Sequence, residues 1–171
     1  MSPRQKEPLT FEHALLGFLS QTPMHAYALH QTVMQSPLGM VWRVKQSALY
    51  AMLTRLAGEG YIDAGEEDPT ARGKRLLTLT ATGHTAFMSW CVKPVAHPRD
   101  MRMEFLAKLY FLSQFPTTAR HQLIDAQLLH AQEWIEPLDA TMTPYAQTVR
   151  QFRNGQIAAI HAWLSSLVLE K

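Results

Sequence analysis

Apolar residues recur along this chain at two different spacings, and the change between them marks its organisation. Phe11, Ala14, Leu15, Phe18 and Leu19 follow the i, i+3, i+4, i+7, i+8 rule of one helical face, behind Thr10 as a predicted cap. Residues 20–23 interrupt that face. Pro23 predicts the opening of a second helix, 24 to 35, which buries Tyr27, Leu29 and Val33. A turn at 36–39 and an extended link at 40–44 lead to a third helix, where Leu49, Met52, Leu53 and Leu56 share one face. Ser47 is its predicted N-cap, and Gly58 and Gly60 offer a stop. After Gly60 the period falls to two. Residues 61–66 and 74–80 read as strands, with Leu77 and Leu79 alternating against Thr78 and Thr80 around a turn-rich loop at 67–73. Three helices followed by a two-stranded hairpin predict a winged helix-turn-helix, with the loop as its wing.

A helix restarts at 80–83 and runs through Ala86, Phe87, Trp90 and Cys91. Residues 93–98 carry Pro94 and Pro98 and form the predicted domain boundary, with room for a hinge. Beyond it the pattern is helical throughout. One helix covers 99–115 and stops at Pro116. The next, capped by Thr117 or Thr118, repeats Ile124, Leu128, Ala131 and Ile135, and Pro137 ends or kinks it. Thr143 and Pro144 open a last helix with Ile157, Ile160, Leu164 and Leu167 in a second narrow seam. Two such seams pack either on each other or across a dimer. The expected fold is mainly α: a winged helix-turn-helix domain over 1–93 and an all-helical domain over 98–171.

With 47% hydrophobic and 18% charged residues, the chain has the composition of a globular protein rather than a disordered one. Its net charge of +2, from 16 basic and 14 acidic residues, requires any nucleic-acid site to be a local cluster. The third helix offers one. Opposite its leucines lie Ser47, Ala51, Thr54 and Gly58, flanked by Tyr50 and Arg55 reaching outward. Arg43 and Lys45 precede a helix end whose dipole already favours anions, and such a helix suits a DNA major groove. The far side of the wing adds Arg72, Lys74 and Arg75 for phosphates or the minor groove. Glu66, Glu67 and Asp68 on the near side keep an ordinary solvated hairpin open as the alternative.

The lone Cys91 excludes an internal disulfide and points to a reducing compartment; its apolar neighbours predict a buried thiol in preference to a redox switch. The first eight residues lack the apolar core of a signal peptide, and no apolar run approaches the ~18 residues of a membrane span. A cytoplasmic protein without membrane partners is expected. Of the eight histidines only His25 and His30 are close in sequence, and on a helix they diverge by roughly 140°. There is no second cysteine, His-x-x-x-His pair or Gly-rich phosphate loop, so no catalytic site, metal or cofactor is expected.

Five blocks then take on meaning together: Leu15-Leu-Gly-Phe-Leu19, Pro23-Met-His-Ala-Tyr-Ala-Leu29, Ala48-Leu-Tyr-Ala-Met-Leu-Thr-Arg-Leu56, Glu59-Gly-Tyr-Ile62, and Gly73-Lys-Arg-Leu-Leu-Thr-Leu-Thr80 with Gly83. In this order and spacing they resemble the PadR family of bacterial transcriptional regulators. Pro98-Arg-Asp-Met-Arg-Met-Glu-Phe-Leu-Ala-Lys-Leu-Tyr-Phe111 is similar to the opening of the C-terminal domain in its long-tailed subgroup. The chain departs from the family at Ser47-Ala48, usually Gly-Thr or Gly-Ser, at Ala51, usually proline, and at Leu76-Leu77, usually a tyrosine pair.

The resemblance implies a homodimer on a two-fold operator of double-stranded DNA, with a repressor the expected sign. The helix near Tyr50 would enter the major groove, the wing would lie on the minor groove, and 98–171 would be a dimerisation domain. Ser47, Tyr50 and Thr54 would then lie nearest the base edges with Gln46 beside them, while Lys45, Arg72, Lys74 and Arg75 serve phosphates. It also implies a small aromatic effector between the domains. Phe11, Trp90, Phe105 and Tyr110 are the aromatics expected there, with His97 or Arg99 orienting a carboxylate. The rival expectation is a winged-helix protein-interaction module without specific DNA binding, which the acidic side of the wing would favour.

Overall fold

Helix α1 (Thr10–Gln21) is buried on every side from Phe11 to Leu19, and the remaining elements assemble around it. These features come from a computed structural model that describes residues 9–68, 74–139 and 141–169. The periodicity had predicted a one-sided helix; instead Glu12, His13, Leu16 and Gly17 are also covered, because packing closes over both faces. Leu9, not Thr10, is the N-cap residue. Glu12 Oε2 accepts from the Leu9 amide at 2.7 Å, which frees the Thr10 hydroxyl to donate to Glu104 at 2.9 Å. A Cβ on Gly17 would lie 2.6 Å from the rings of Phe87 and Phe111, so only glycine lets α1 approach them this closely.

Pro23 does not open a helix directly. Met24–His25 forms a two-residue strand, β1, before α2 (Ala26–Gln35). The turn expected at 36–39 is a 3₁₀ turn (Pro37–Met40), which leads towards α3 (Gln46–Gly58). Gly60, at φ 76°, makes the left-handed step that turns the chain from α3 into β2 (Ile62–Asp68). Strand β3 (Lys74–Leu79) pairs antiparallel with both β2 and β1, giving a three-stranded sheet of order β1-β3-β2 where the alternation predicted two strands. Helix α4 (Ala81–Val92) follows, with Thr80 as its N-cap, the side chain accepting from the Gly83 amide at 3.0 Å.

The predicted helix over 99–115 is divided into a 3₁₀ turn (Pro98–Arg102) and α5 (Glu104–Leu112). After it come α6 (Thr117–Gln132) and α7 (Pro144–Leu169). Helix α6 ends before Pro137, and Ile135, counted in the first seam, is exposed. Ile124, Ala131, Ile157 and Leu164 are buried where α6 and α7 pack on each other, so the seams are spent within one chain.

The boundary at 93–98 is a boundary in sequence only. Phe18 of α1 meets Phe111 of α5 edge-on at 5.4 Å, Phe87 of α4 meets Phe111 at 5.2 Å, and one hydrophobic core runs from Phe11 to Leu164. The linker is not a free hinge either. Buried Gln127 accepts from the Val95 amide at 2.7 Å and donates to its carbonyl at 3.2 Å. Trp134 Nε1 donates to Ala96 O, and Lys108 Nζ donates to Lys93 O. Lys93, Val95 and Ala96 are thus anchored in turn by α5, α6 and the segment after α6.

Candidate nucleic-acid interface

Helix α3 is held by its apolar face, where Leu49, Leu53 and Leu56 are buried. That leaves Gln46, Ser47, Tyr50, Ala51 and Thr54 exposed together on the other side, Tyr50 at 43%. Ser47 lies inside the helix and does not cap it: Lys45 is the N-cap residue, its side chain makes no capping bond, and no acidic residue occupies the first turn. The helix end therefore keeps its partial positive charge, with Arg43 and Lys45 exposed beside it. The Thr54 hydroxyl donates back to Tyr50 O at 3.0 Å, which commits its proton within the helix and leaves its oxygen to accept.

Two buried contacts fix where this face points. His30 Nε2 on α2 donates to Val44 O at 3.0 Å, just ahead of α3. Arg55 turns inward instead of reaching out. Its Nε donates to Glu12 Oε1 at 2.7 Å, and its Nη2 meets Glu12 Oε2 as the second leg of the pair. Glu12 is almost wholly buried in α1, so the recognition-type helix is bolted to the central helix by a charge pair.

A cleft of about 470 Å³ separates α3 from the sheet and brings Tyr50, Thr54 and Arg75 to one place, over a floor that includes Leu53 and Leu77. Tyr27 and His25 share its lining and were not anticipated there. Tyr27 is 50% exposed, contrary to its expected burial. The helical wheel held that signal, since Tyr27 falls about 200° from Leu29 and so opposite the Leu29–Val33 stripe. His25 Nδ1 bonds to Arg75 O at 3.0 Å, joining β1 to the wing strand.

The wing is less complete. Arg72 lies outside the described residues, and for Lys74 only the backbone position in β3 is described. The register sets Glu67 opposite Arg75 and Asp68 opposite Lys74, so each basic position at the base of the wing faces an acidic one.

The six residues expected to surround an effector do not converge. Phe11 packs edge-on to Trp42 at 5.2 Å, and Tyr110 packs on Phe18 and Phe111. Trp90 stacks on His13 at 5.2 Å and donates from Nε1 to Glu104 at 3.1 Å. These aromatics fill the junction that was expected to be hollow. Only His97 and Arg99 face a cavity, one of about 930 Å³ among the 3₁₀ turn, α5, α6 and α7, with buried Phe105 backing its Trp163 wall.

Cys91 is fully buried, and desolvation pushes its thiol up to about 12 despite the charge of Lys108, so at neutral pH it stays a protonated, unreactive thiol. Among the described residues, no three histidine, cysteine or carboxylate side chains gather as a metal site, and no helix is long and apolar enough to cross a membrane.

Three helices, a small sheet with a hairpin wing, and an exposed polar face on the third helix define a winged helix-turn-helix protein. Residues 15–89 match the family described as the transcriptional regulator PadR-like family. That match spans the winged domain and is to a family of transcriptional regulators. The chain is 27% identical over 131 residues to the negative transcriptional regulator PadR of Bacillus subtilis (strain 168), covering 76% of this chain and 71% of that protein. It is also similar to crystal structures of Bacillus subtilis PadR in complex with operator DNA and with p-coumaric acid. Both are 22% identical to it and cover 94% of this chain, with 97% and 98% of theirs matched and TM-scores of 0.48 and 0.46.

Proposed function

We propose that this protein is a cytoplasmic repressor that binds a two-fold DNA operator as a homodimer and is released by a small aromatic effector. Residues 1–93 act as the reading head and 98–171 as the dimerising part. The observation that carries the reading is the exposed face Gln46, Ser47, Tyr50 and Thr54, on a helix preceded by Arg43 and Lys45 and with no acidic residue in its first turn. Ser47, Tyr50 and Thr54 approach base edges; Lys45, Lys74, Arg75 and Arg72 serve phosphates. The role named for the Bacillus subtilis relative supports the negative sign.

For the dimer, the support is the outer face of α7. Tyr145 and Phe152 are exposed there seven residues apart, and so on one helical face, on the side away from buried Ile157 and Leu164.

A mobility-shift titration against the DNA upstream of its own coding region, at two salt concentrations, tests the reading. Tyr50→Ala is expected to cost ~1–3 kcal/mol and relax specificity at one position. Lys45→Ala is expected to weaken all sequences alike and to flatten the salt slope by about one unit. Unchanged affinity in both variants would show that α3 does not read DNA. The register of acidic against basic positions in the wing favours a second reading, a protein-interaction winged helix. Salt-insensitive binding with no sequence preference would select it.

A further inference from the structure

Four consecutive residues in the first turn of α1 reach four different places in the fold. Thr10 donates to Glu104 Oε2 of α5 at 2.9 Å. Phe11 meets Trp42, just ahead of α3, edge-on at 5.2 Å. Glu12 holds Arg55, in the last turn of α3, with both oxygens. His13 stacks on Trp90 of α4 at 5.2 Å, the rings 5° from parallel. At about 100° per residue, these side chains divide the circumference of the helix among them.

Helix α3 is therefore mounted at both ends on one turn of α1. Its leucine face supplies adhesion without direction, because burial of apolar area hardly changes when a helix rotates or slides a little. Direction comes from the Trp42 ring contact before its start and the Arg55 pair near its end. The turn that carries both is itself tied to α5. Glu12 engages the Leu9 amide, and the His13 amide and ring engage the Leu9 carbonyl. The Thr10 hydroxyl is thus free to leave its own helix and bond 94 residues away.

We propose that Thr10 is a positioning residue for DNA reading: its bond to Glu104 fixes the first turn of α1, and that turn aims the polar face of α3. The inference rests on the proposed reading of DNA by α3. Loss of the hydroxyl should disturb little else. Glu104 keeps Lys108 at 2.7 Å and the Trp90 indole at 3.1 Å, and at 22% exposure its side chain lets water take the freed oxygen. A displacement of α5 reaches both ends of α3 through the same bond. The helical half thereby has a polar route to the reading head that bypasses the linker.

Amide exchange and DNA binding of the full-length parent, T10V, T10S, E12Q/R55M and T10V/E12Q/R55M test this. In E12Q/R55M the pair is neutral, so no charge is left buried alone. T10V is expected to speed exchange of the α3 amides about tenfold, while α6 and α7 exchange as in the parent. Its affinity for the DNA upstream of its own coding region should fall about tenfold, the scale of one base contact. Affinity for a random duplex should hold, because phosphate contacts do not depend on the aim of the helix. T10S should restore both readouts. In the E12Q/R55M background T10V should add only about a twofold loss, since one of the two links it acts through is already cut. Parent-like α3 exchange in T10V, an equal loss on upstream DNA and random duplex, no rescue by serine, or a full T10V effect in E12Q/R55M would overturn the proposal. A parent that shows no preference for the upstream DNA removes the regulator reading, and α3 exchange in T10V still decides whether Thr10 positions the helix.

Discussion

Glu12 performs two tasks with one carboxylate. It caps the first turn of α1 by accepting from the Leu9 amide, and it grips Arg55 on α3 with both oxygens. A carboxylate this deeply buried is tolerable only while its counter-charge is present. Arg55→Ala leaves it unpaired and is expected to cost on the order of 3 kcal/mol, the scale measured when one partner of a buried pair is removed. A denaturant titration gives the number. A loss below ~0.5 kcal/mol would mean that water or a shifted side chain replaces the guanidinium. No local pattern announces this contact. Arg55 lies on the flank of α3, where the wheel permits either direction, and only the fold brings residue 12 within reach of it.

At the scale of elements, α1, α4 and α5 are joined by a polar cluster inside an apolar core. Glu104 of α5 accepts from Thr10 of α1 and Trp90 of α4, and pairs with buried Lys108 at 2.7 Å. Burial alone would raise the Glu104 pKa, but the Lys108, Thr10 and Trp90 bonds outweigh it and hold it below its ordinary 4.5. A group depressed on folding contributes stability that is complete above its unfolded value and is lost as pH falls through the folded one. Thermal melts from pH 6 to 3 are therefore expected to show a loss below about pH 4.5 that is shallower in Glu104→Gln. Identical slopes would remove Glu104 from the acid transition. Much at this scale was legible. Helices α1, α3, α4 and α7 and both wing strands follow from periodicity and turn residues. The misses are physical. A two-residue β1 is too short to carry a period, and the 3₁₀ turn before α5 keeps helical spacing while breaking the helix. Within the interface, the exposed polar face of α3 was legible, whereas Tyr27 was hidden by assuming that an aromatic residue in a helix turns inward.

The whole molecule turns on where its apolar surface is spent. The seams of α6 and α7 read from the sequence as equally suited to a bundle or a dimer, because a narrow apolar stripe specifies only that it must be covered. In the folded chain they cover each other, and Leu164 joins the central core. What remains for a partner is a different stripe: Tyr145 at 79% exposure, Phe152 at 66%, then Ala159, at intervals of seven residues. Two substitutions on the same helix therefore separate folding from association. Leu164→Glu places a charge in a packed core and is expected to abolish folding. Phe152→Glu touches little in the isolated chain and should leave its circular dichroism and melting cooperativity intact. If the stripe is the dimer contact, that glutamate becomes desolvated without a partner on association. The cost of about 3 kcal/mol should raise the dimer dissociation constant roughly a hundredfold. Sedimentation velocity over a concentration series reads this directly, and operator affinity should fall with it, because a monomer engages only one half-site. A Phe152→Glu protein that sediments as the parent does would place the contact elsewhere, and the exposed aromatics of α7 would need another partner.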